Sequence, residues 1–237
     1  MIVSWFSAGV SSAVATWLMR DQIDKIMYIH IEDQHDDTLR FLHDCEEWLN
    51  REIEILQSPY KSVDNVIRQF RYINGVAGAK CTQILKKRVR EEWEHQHKSE
   101  SINYVWGYDL DEQNRINRIV DRYPEFKHSF PLVDHNLNKQ DAHAILARHK
   151  IKRPVMYDLG YQNNNCIGCV KGGKGYWNRI RKDFPEKFEL MKKRERELNA
   201  SCINGTFLDE LQPDQGIFEK DIPQDCGMFC YMVEGGD

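Results

Sequence analysis

The sequence predicts an α/β protein, a parallel sheet flanked by helices, followed by a cysteine-bearing C-terminal extension. Two observations predict it. Short apolar runs at 2–6 (IVSWF), 26–31 (IMYIHI), 53–56 (IEIL) and 102–106 (INYVW) alternate with helix-like segments at 10–20, 37–50, 62–71, 82–97 and 111–122. Such alternation implies βαβ units and a sheet covered on both faces. After residue 150 the chain turns to Gly, Asn, Cys and basic residues, and its final stretch carries most of the loop signals. The expected organisation is therefore an α/β domain over 1–150 and an extension over 151–237, helical to about residue 200 and ending in a tail. A further run, HSFPL at 128–132, precedes a helical segment near 138–149, and there is no internal repeat or low-complexity tract.

The first element places IVSWF directly before Ser7-Ala8-Gly9-Val10-Ser11-Ser12, after which apolar residues resume at helical spacing. Strand, small-residue turn and helix N-terminus together form an anion trap, because the first helical turn has unpaired N–H groups at its positive end. The loop lacks the lysine-bearing phosphate-loop pattern, and with Gly9 as its only glycine it is not the dinucleotide fingerprint. Read alone, Ser11 or Ser12 serves equally well as a helix cap. In a parallel sheet, ligands bind beyond the carboxyl ends of the strands. Those ends carry Ser7–Ser12, Asp33–Asp37 and Gly107–Glu112, three polar clusters expected at one rim.

The 237 residues are 41% hydrophobic and 30% charged, with no apolar run of membrane-span length. The N-terminus reads as a first strand and not as a signal peptide, so the expected compartment is the cytoplasm. A formal charge of -4 argues against a general nucleic-acid binder. Two local basic stretches, KKRVR at 86–90 and KGGKGYWNRIRK at 171–182, could meet an anionic substrate or simply form solvated helix faces.

Seven cysteines in a cytoplasmic chain point to metal binding or thiol chemistry and not to a disulfide framework. Cys45 lies in a helical pattern as a small buried hydrophobe. Cys166-Ile-Gly-Cys169, Cys226-Gly-Met-Phe-Cys230 and Lys80-Cys81-Thr82 supply the other expected thiols, the last at the start of a basic helix that favours thiolate. Two assemblies compete. Cys166, Cys169, Cys226 and Cys230 would make a closed zinc site. Alternatively Cys81, Cys166 and Cys169 would hold an iron–sulfur cluster, with a fourth ligand from Cys230 or from outside the protein and with Cys226 free. The nine histidines suggest no ligand pair.

Taken in order, several segments resemble the phosphoadenosine phosphosulfate (PAPS) reductase family of the adenine nucleotide α-hydrolase-like, PP-loop proteins. SAGVSS resembles the PP-loop, Ser-Gly-Gly-x-Asp-Ser in ATP-using members. KCTQILKK at 80–87 resembles Cys-Thr-x-x-x-Lys, and GYDLDEQNR resembles a Gly-x-Arg-x-x-Glu-Ser-x-x-Arg segment at Gly107, Glu112 and Arg115. FPLVDHNLNKQD and IKRPVMYDLGYQNNNCIGC resemble the Pro-Leu, Asp and Pro-x-x-Tyr run that ends in Cys-x-x-Cys, and QDCGMFC resembles Glu-Cys-Gly-Ile-His, the motif of the nucleophilic cysteine.

The resemblance implies a Rossmann-like, HUP-type sheet that binds an adenine nucleotide through Ser7, Gly9, Ser11, Ser12, Asp33, Gly107 and Arg115. It also implies an iron–sulfur cluster, of the 4Fe-4S type, at Cys81, Cys166 and Cys169 with Cys230, zinc being the alternative. Cys226 would attack the sulfur of a bound adenylyl sulfate (PAPS or APS). Lys171, with Lys86 and Lys87, would neutralise the leaving phosphates, and a thioredoxin-type dithiol would release sulfite. Val10 and Ser11 stand where ATP-splitting relatives have lysine and aspartate, which favours binding an adenylyl anhydride without splitting ATP. Two further readings follow from the same residues: an ATP-dependent sulfurtransferase acting on a nucleobase or nucleic-acid backbone, and a non-catalytic nucleotide-binding protein with zinc at four cysteines.

Overall fold

The computed structural model describes residues 1–75, 78–98 and 100–221, so Cys226 and Cys230 lie outside the described residues. It contains a five-stranded sheet of order β3-β2-β1-β4-β5, formed by β1 (Ile2–Trp5), β2 (Lys25–His30), β3 (Glu54–Gln57), β4 (Asn103–Val105) and β5 (Lys127–Ser129). Strand β1 pairs in parallel with β2 and β4, and β4 with β5. Helices α1 (Val10–Met19), α2 (Asp37–Leu49), α3 (Val63–Phe70), α4 (Lys80–Thr82) and α5 (Arg88–Gln96) fill the first half of the chain. They are followed by α6 (Gln113–Arg122), α7 (Pro131–Asp134), α8 (Lys139–Arg148), α9 (Val155–Asp158), α10 (Lys174–Asp183), α11 (Pro185–Leu198) and α12 (Phe218–Asp221). This is the α/β, Rossmann-like architecture expected from the alternating pattern. No helix among the described residues is long and apolar enough to cross a membrane.

Two compact units divide the chain: Met1–His30, Asp36–Leu56 and Glu91–Gly160 form the first, and Ile31–His35, Gln57–Arg90 and Tyr161–Asp237 the second. In the first, α1 is buried along its first seven residues, where small side chains let it lie close to the sheet. The Thr16 hydroxyl bonds Ser4 Oγ at 2.7 Å and donates to the Ser12 carbonyl at 2.7 Å, so the polar groups of this contact are paired. Phe41, Leu42, Cys45 and Leu49 recur at helical spacing and form the buried face of α2. Phe41 stacks on Phe6 with centroids 6.2 Å apart. Cys45 is a buried core residue, and burial pushes its thiol well above the usual range. Each fully buried side chain of this size contributes about 1.5–3 kcal/mol. Arg40 pairs with Asp37 and Asp44 and donates to the carbonyls of Lys152 and Arg153, while Asp37 accepts the Val155 N–H at 2.8 Å.

Two predicted boundaries differ for backbone reasons. The run at 128–132 is strand only to Ser129, because Pro131 has no N–H for a ladder and instead opens α7 at its first position. The predicted helix over 82–97 begins at Lys80 and passes through a π-helical turn, Gln83–Lys87, before α5.

The second unit is organised around Trp177, which is fully buried and meets Tyr176 and Phe188 edge-on. Arg194 makes a two-pronged ion pair with Asp64, joining α11 to α3. Glu195 is 0% exposed, and its two carboxylate oxygens accept the N–H groups of Cys202 and Leu208, each at 2.6 Å. One buried carboxylate thus folds the chain after α11 back on itself. The Arg181 guanidinium steadies the same loop through the carbonyls of Leu208 and Leu211.

At the order reversal of the sheet, a Cβ on Gly107 would lie 2.6 Å from Ser12 Cα and 2.7 Å from its nitrogen. Gly107→Ala is therefore expected to lower stability by about 1–3 kcal/mol, the cost of overpacking against backbone, as a reduced midpoint in urea unfolding. Glu195→Ala leaves two buried N–H groups without an acceptor, each costing about 1–3 kcal/mol. It should reduce the midpoint further than Glu195→Gln, which keeps one acceptor oxygen.

Candidate functional site

In the first unit, β1 ends in a loop whose polar groups bind one another. The Ser7 N–H and hydroxyl both donate to Ser12 Oγ, at 3.2 and 3.0 Å, and the Ser12 hydroxyl donates to the Gly9 carbonyl at 2.9 Å. Ala8 sits at φ 58, a left-handed conformation that a non-glycine residue adopts at local cost. Four residues, Phe6, Ser7, Ala8 and Gly9, carry the chain from β1 into α1. Gly9 is extended, at φ -99 and ψ 161, and precedes the helix with no side-chain cap. A Cβ there would stand 3.3 Å from the Tyr157 hydroxyl and 3.4 Å from Ser7 Oγ, on the polar lining of the cradle.

Tyr157, in the sequence one residue of the Pro-x-x-Tyr run, has a place in the cradle. Its hydroxyl accepts the Val10 N–H at 3.3 Å, the first donor of α1. His143 meets its ring edge-on at 4.8 Å, and the Lys139 ammonium lies 6.0 Å from the ring centroid. Burial, with Arg153 and Lys139 nearby, pushes the His143 imidazole below its ordinary range. Gly107 lies against Ser12, so two of the three expected rim clusters meet at the divergence between β1 and β4, where sheets of this kind bind ligands. Ser11 is buried in the first turn of α1. Arg115 pairs with Glu112 and lies 4.6 Å over the Tyr108 ring, and Glu112 in turn closes a capping box with Asp109.

The third expected cluster is divided, Asp37 lying in the first unit and Asp33 in the second. Asp33 is buried there, its carboxylate accepting the Val63 N–H at 2.5 Å and the Lys187 ammonium at 3.1 Å, so it caps α3. Its carbonyl accepts the Ile167 N–H at 2.8 Å, inside the Cys-x-x-Cys turn. The buried Tyr176 hydroxyl spans that turn, accepting the Cys169 N–H at 3.0 Å and donating to the Cys166 carbonyl at 3.3 Å. Gly168 takes φ 76 at its apex, a conformation that suits glycine, against the Trp177 ring.

Cys81, Cys166 and Cys169 line one pocket of this unit together with Lys86, Lys171 and the apolar side chains Ile31, Val63, Leu85 and Val170. Cys81 enters from α4, and the π-turn that follows carries Lys86, a helical irregularity frequent at functional sites. Cys202 was not singled out in the sequence. It is buried, its backbone N–H donates to Glu195, and desolvation, with the Glu195 carboxylate as the next cause, holds its thiol well above the usual range. No disulfide joins any of the five cysteines among the described residues. Among the described residues no three His, Cys, Asp or Glu side chains converge as the ligand set of one metal ion.

The cradle, Cys81, the Cys-x-x-Cys turn and Lys171 all fall within residues 1–174, the stretch matched by a family model described as the phosphoadenosine phosphosulfate reductase domain. No curated protein matches the chain. With a strand–turn–helix cradle at the sheet's order reversal, and with most of its length inside that match, the chain belongs to the phosphoadenosine phosphosulfate reductase domain family.

Proposed function

We propose that the protein binds an adenylyl sulfate at the cradle and reduces it with a thiol to sulfite and an adenine nucleotide. The observation that carries this reading is the cradle itself: Ser7, Gly9 and Ser12 form a hydrogen-bonded loop of small residues that leads into the N-terminus of α1, beside Gly107. Its first helical turn carries no acidic side chain to repel an anion. Ser11 and Arg115 are further contacts on this reading.

In the proposed reaction the Cys226 thiolate attacks the sulfur of the phosphosulfate. A sulfur–sulfur bond forms, the sulfur–oxygen bond to phosphate breaks, and the adenine nucleotide leaves with that electron pair. One thiol of an external thioredoxin-type dithiol then attacks Cys226 sulfur, expelling sulfite and leaving a mixed disulfide. Its second thiol resolves the disulfide and restores Cys226. The dithiol loses two electrons and the sulfate sulfur gains them.

The family also implies an iron–sulfur cluster. Three cysteines facing one largely apolar pocket with two lysines suit it, since thiolates and lysine offset one another's charge away from water. Cys81, Cys166 and Cys169 would hold it, supplying a fixed redox-capable group, while Lys86 and Lys171 orient anionic groups at the pocket.

Anaerobically purified protein with a dithiol donor is expected to release sulfite from PAPS or APS and to show a sulfite-sized mass increase on Cys226 before donor is added. Conversion of ATP to AMP and pyrophosphate without sulfite release would instead establish the sulfurtransferase reading, and nucleotide binding without either reaction the non-catalytic one. Gly9→Val should weaken adenylyl sulfate binding about tenfold or more, roughly 1.4 kcal/mol by calorimetry. Tyr157→Phe should tighten it about threefold, because a phosphate oxygen taking the Val10 N–H no longer displaces a hydroxyl, a net hydrogen bond of about 0.5–1.5 kcal/mol. Unchanged affinity in both variants would place the nucleotide elsewhere.

A further inference from the structure

We infer that Lys139, at the start of α8, is a further substrate-binding residue of the cradle, its ammonium pairing with the anionic phosphosulfate end of an adenylyl sulfate. The inference deepens the proposed reading and rests on it. The loop 6–9 and the first turn of α1 bring no charged side chain to the cradle, so a paired cation must come from another element. Lys86, Lys87 and Lys171, the lysines that the sequence suggested for the leaving phosphates, belong to the second unit, whereas Lys139 belongs to the unit that holds the cradle.

The packing of α8 brings Lys139 there. Helices α1 and α8 lie side by side, with Val10, Ala13 and Val14 of one and Ala142, Ile145 and Leu146 of the other in the same core. At one end the Tyr157 hydroxyl accepts the Val10 N–H at 3.3 Å, while the Lys139 ammonium lies 6.0 Å from the centroid of the same ring. At the other end the rings of Trp17 and His149 are 4.8 Å apart. The two helices therefore run in one direction, and their positive ends lie together at the cradle. A further tie acts nearby. The Leu110 N–H donates to the Leu137 carbonyl at 3.3 Å, joining the chain just past Gly107 to the chain just before α8. Lys139 thus starts its helix beside Tyr157, whose hydroxyl a Cβ on Gly9 would approach to 3.3 Å, and close to the segment that follows Gly107.

The neighbouring groups make Lys139 the charge that α8 offers. Asn138 and Asp141 close a capping box around it, which fixes its backbone and occupies Asp141 with the Asn138 N–H. His143, one turn along, meets Tyr157 edge-on, and burial holds its imidazole below its ordinary range, so it is neutral at pH 7. Arg153 pairs with Asp158 at 2.7 Å, and the buried Asp109 carboxylate accepts the Asp111 N–H at 3.0 Å. Lys139 is half-buried, where charges attract more strongly than in open water. An anion that takes the Val10 N–H from the Tyr157 hydroxyl would sit next to that ring, within the sweep of a flexible lysine stem.

The test is calorimetry on the full chain with PAPS, APS and adenosine, at low and high salt, for the parent, Lys139→Met and Lys139→Arg. Methionine keeps much of the apolar stem and removes the charge, whereas arginine keeps the charge. Lys139→Met should weaken binding of PAPS and APS about five- to tenfold, as expected for a charge-assisted hydrogen bond at a half-exposed group. Added salt should then cost it less affinity than it costs the parent. Adenosine should bind as it does to the parent, and the midpoint of urea unfolding should not move. Lys139→Arg should restore most of the lost affinity. Equal affinity and equal salt dependence in the parent and Lys139→Met would overturn the assignment of Lys139 while leaving the cradle reading intact. An equal loss for adenosine would overturn it too, since that marks a packing role. A parent that binds neither PAPS nor APS would overturn the cradle reading itself, and Lys139 with it.

Discussion

The close approach of Gly107 to the first turn of α1 is the constraint on which the architecture of the first unit turns. Strands β1 and β4 are neighbours, but the sheet order reverses between them, and the chain leaving β1 enters α1 within a few residues. The ends of the two strands can then lie close together only if position 107, two residues past β4, has no side chain and the first turn of α1 is narrow. Gly107 against Ser12, with Ser11, Ala13 and Ala15 nearby, satisfies both requirements. The hydroxyl of Ser12, used three times within the loop, holds the turn in the shape that this approach demands. Packing and cradle are consequences of one set of small residues.

The second unit depends on a different device. A carboxylate buried without charge compensation is costly unless its oxygens are well bonded. Glu195 offsets that cost with two backbone N–H groups, which forces the segment after α11 to return toward the helix. Asp33 plays the corresponding part at the start of α3 and touches the Cys-x-x-Cys turn through its own carbonyl. Burial raises the carboxyl of Glu195 while its N–H partners draw it down, so the residue is held between two opposing demands. The segment after α11 is also tied back by the exposed pairs of Arg196 with Asp209 and Glu210, but surface pairs of that kind contribute little beside the buried acceptors.

Much of the fold was legible in the sequence because it follows from local periodicity. Apolar runs marked all five strands, and the predicted helices at 10–20, 37–50 and 138–149 match α1, α2 and α8 to within about a residue or two at their ends. The π-turn at Gln83–Lys87 was not, since one extra residue per turn leaves no clear mark on a hydrophobic pattern. Ser7, Gly9 and Ser12 could be read as a cradle from their place after a strand. Ala8 could not, because nothing in an alanine announces a positive φ. Tyr157 lies 147 residues from the Val10 N–H it accepts, and the Cys202 N–H meets its acceptor Glu195 only when the segment after α11 turns back. Both depend on tertiary contacts that spacing along the chain does not encode.

The chemistry of the cradle follows from what its side chains are already doing. Ser7 and Ser12 spend their hydroxyls on each other and on Gly9, and α1 has no charged residue in its first or last turn. What remains for an anion from the loop and α1 is backbone N–H and the helix dipole, worth about 0.3–1 kcal/mol per charge when exposed and up to about 2 kcal/mol in partly buried geometry. That suffices to hold and orient a phosphate. It is a weak means of stabilising the charge that builds on departing pyrophosphate, for which a loop lysine and a carboxylate-held metal are the usual tools. On the proposed reading, attack at sulfur asks less of the cradle, since the leaving group is the phosphate that it would hold. The same absence of charged side chains that makes ATP cleavage hard is therefore compatible with the proposed reduction of an adenylyl sulfate, in which the Cys226 thiolate and an external dithiol carry the chemistry.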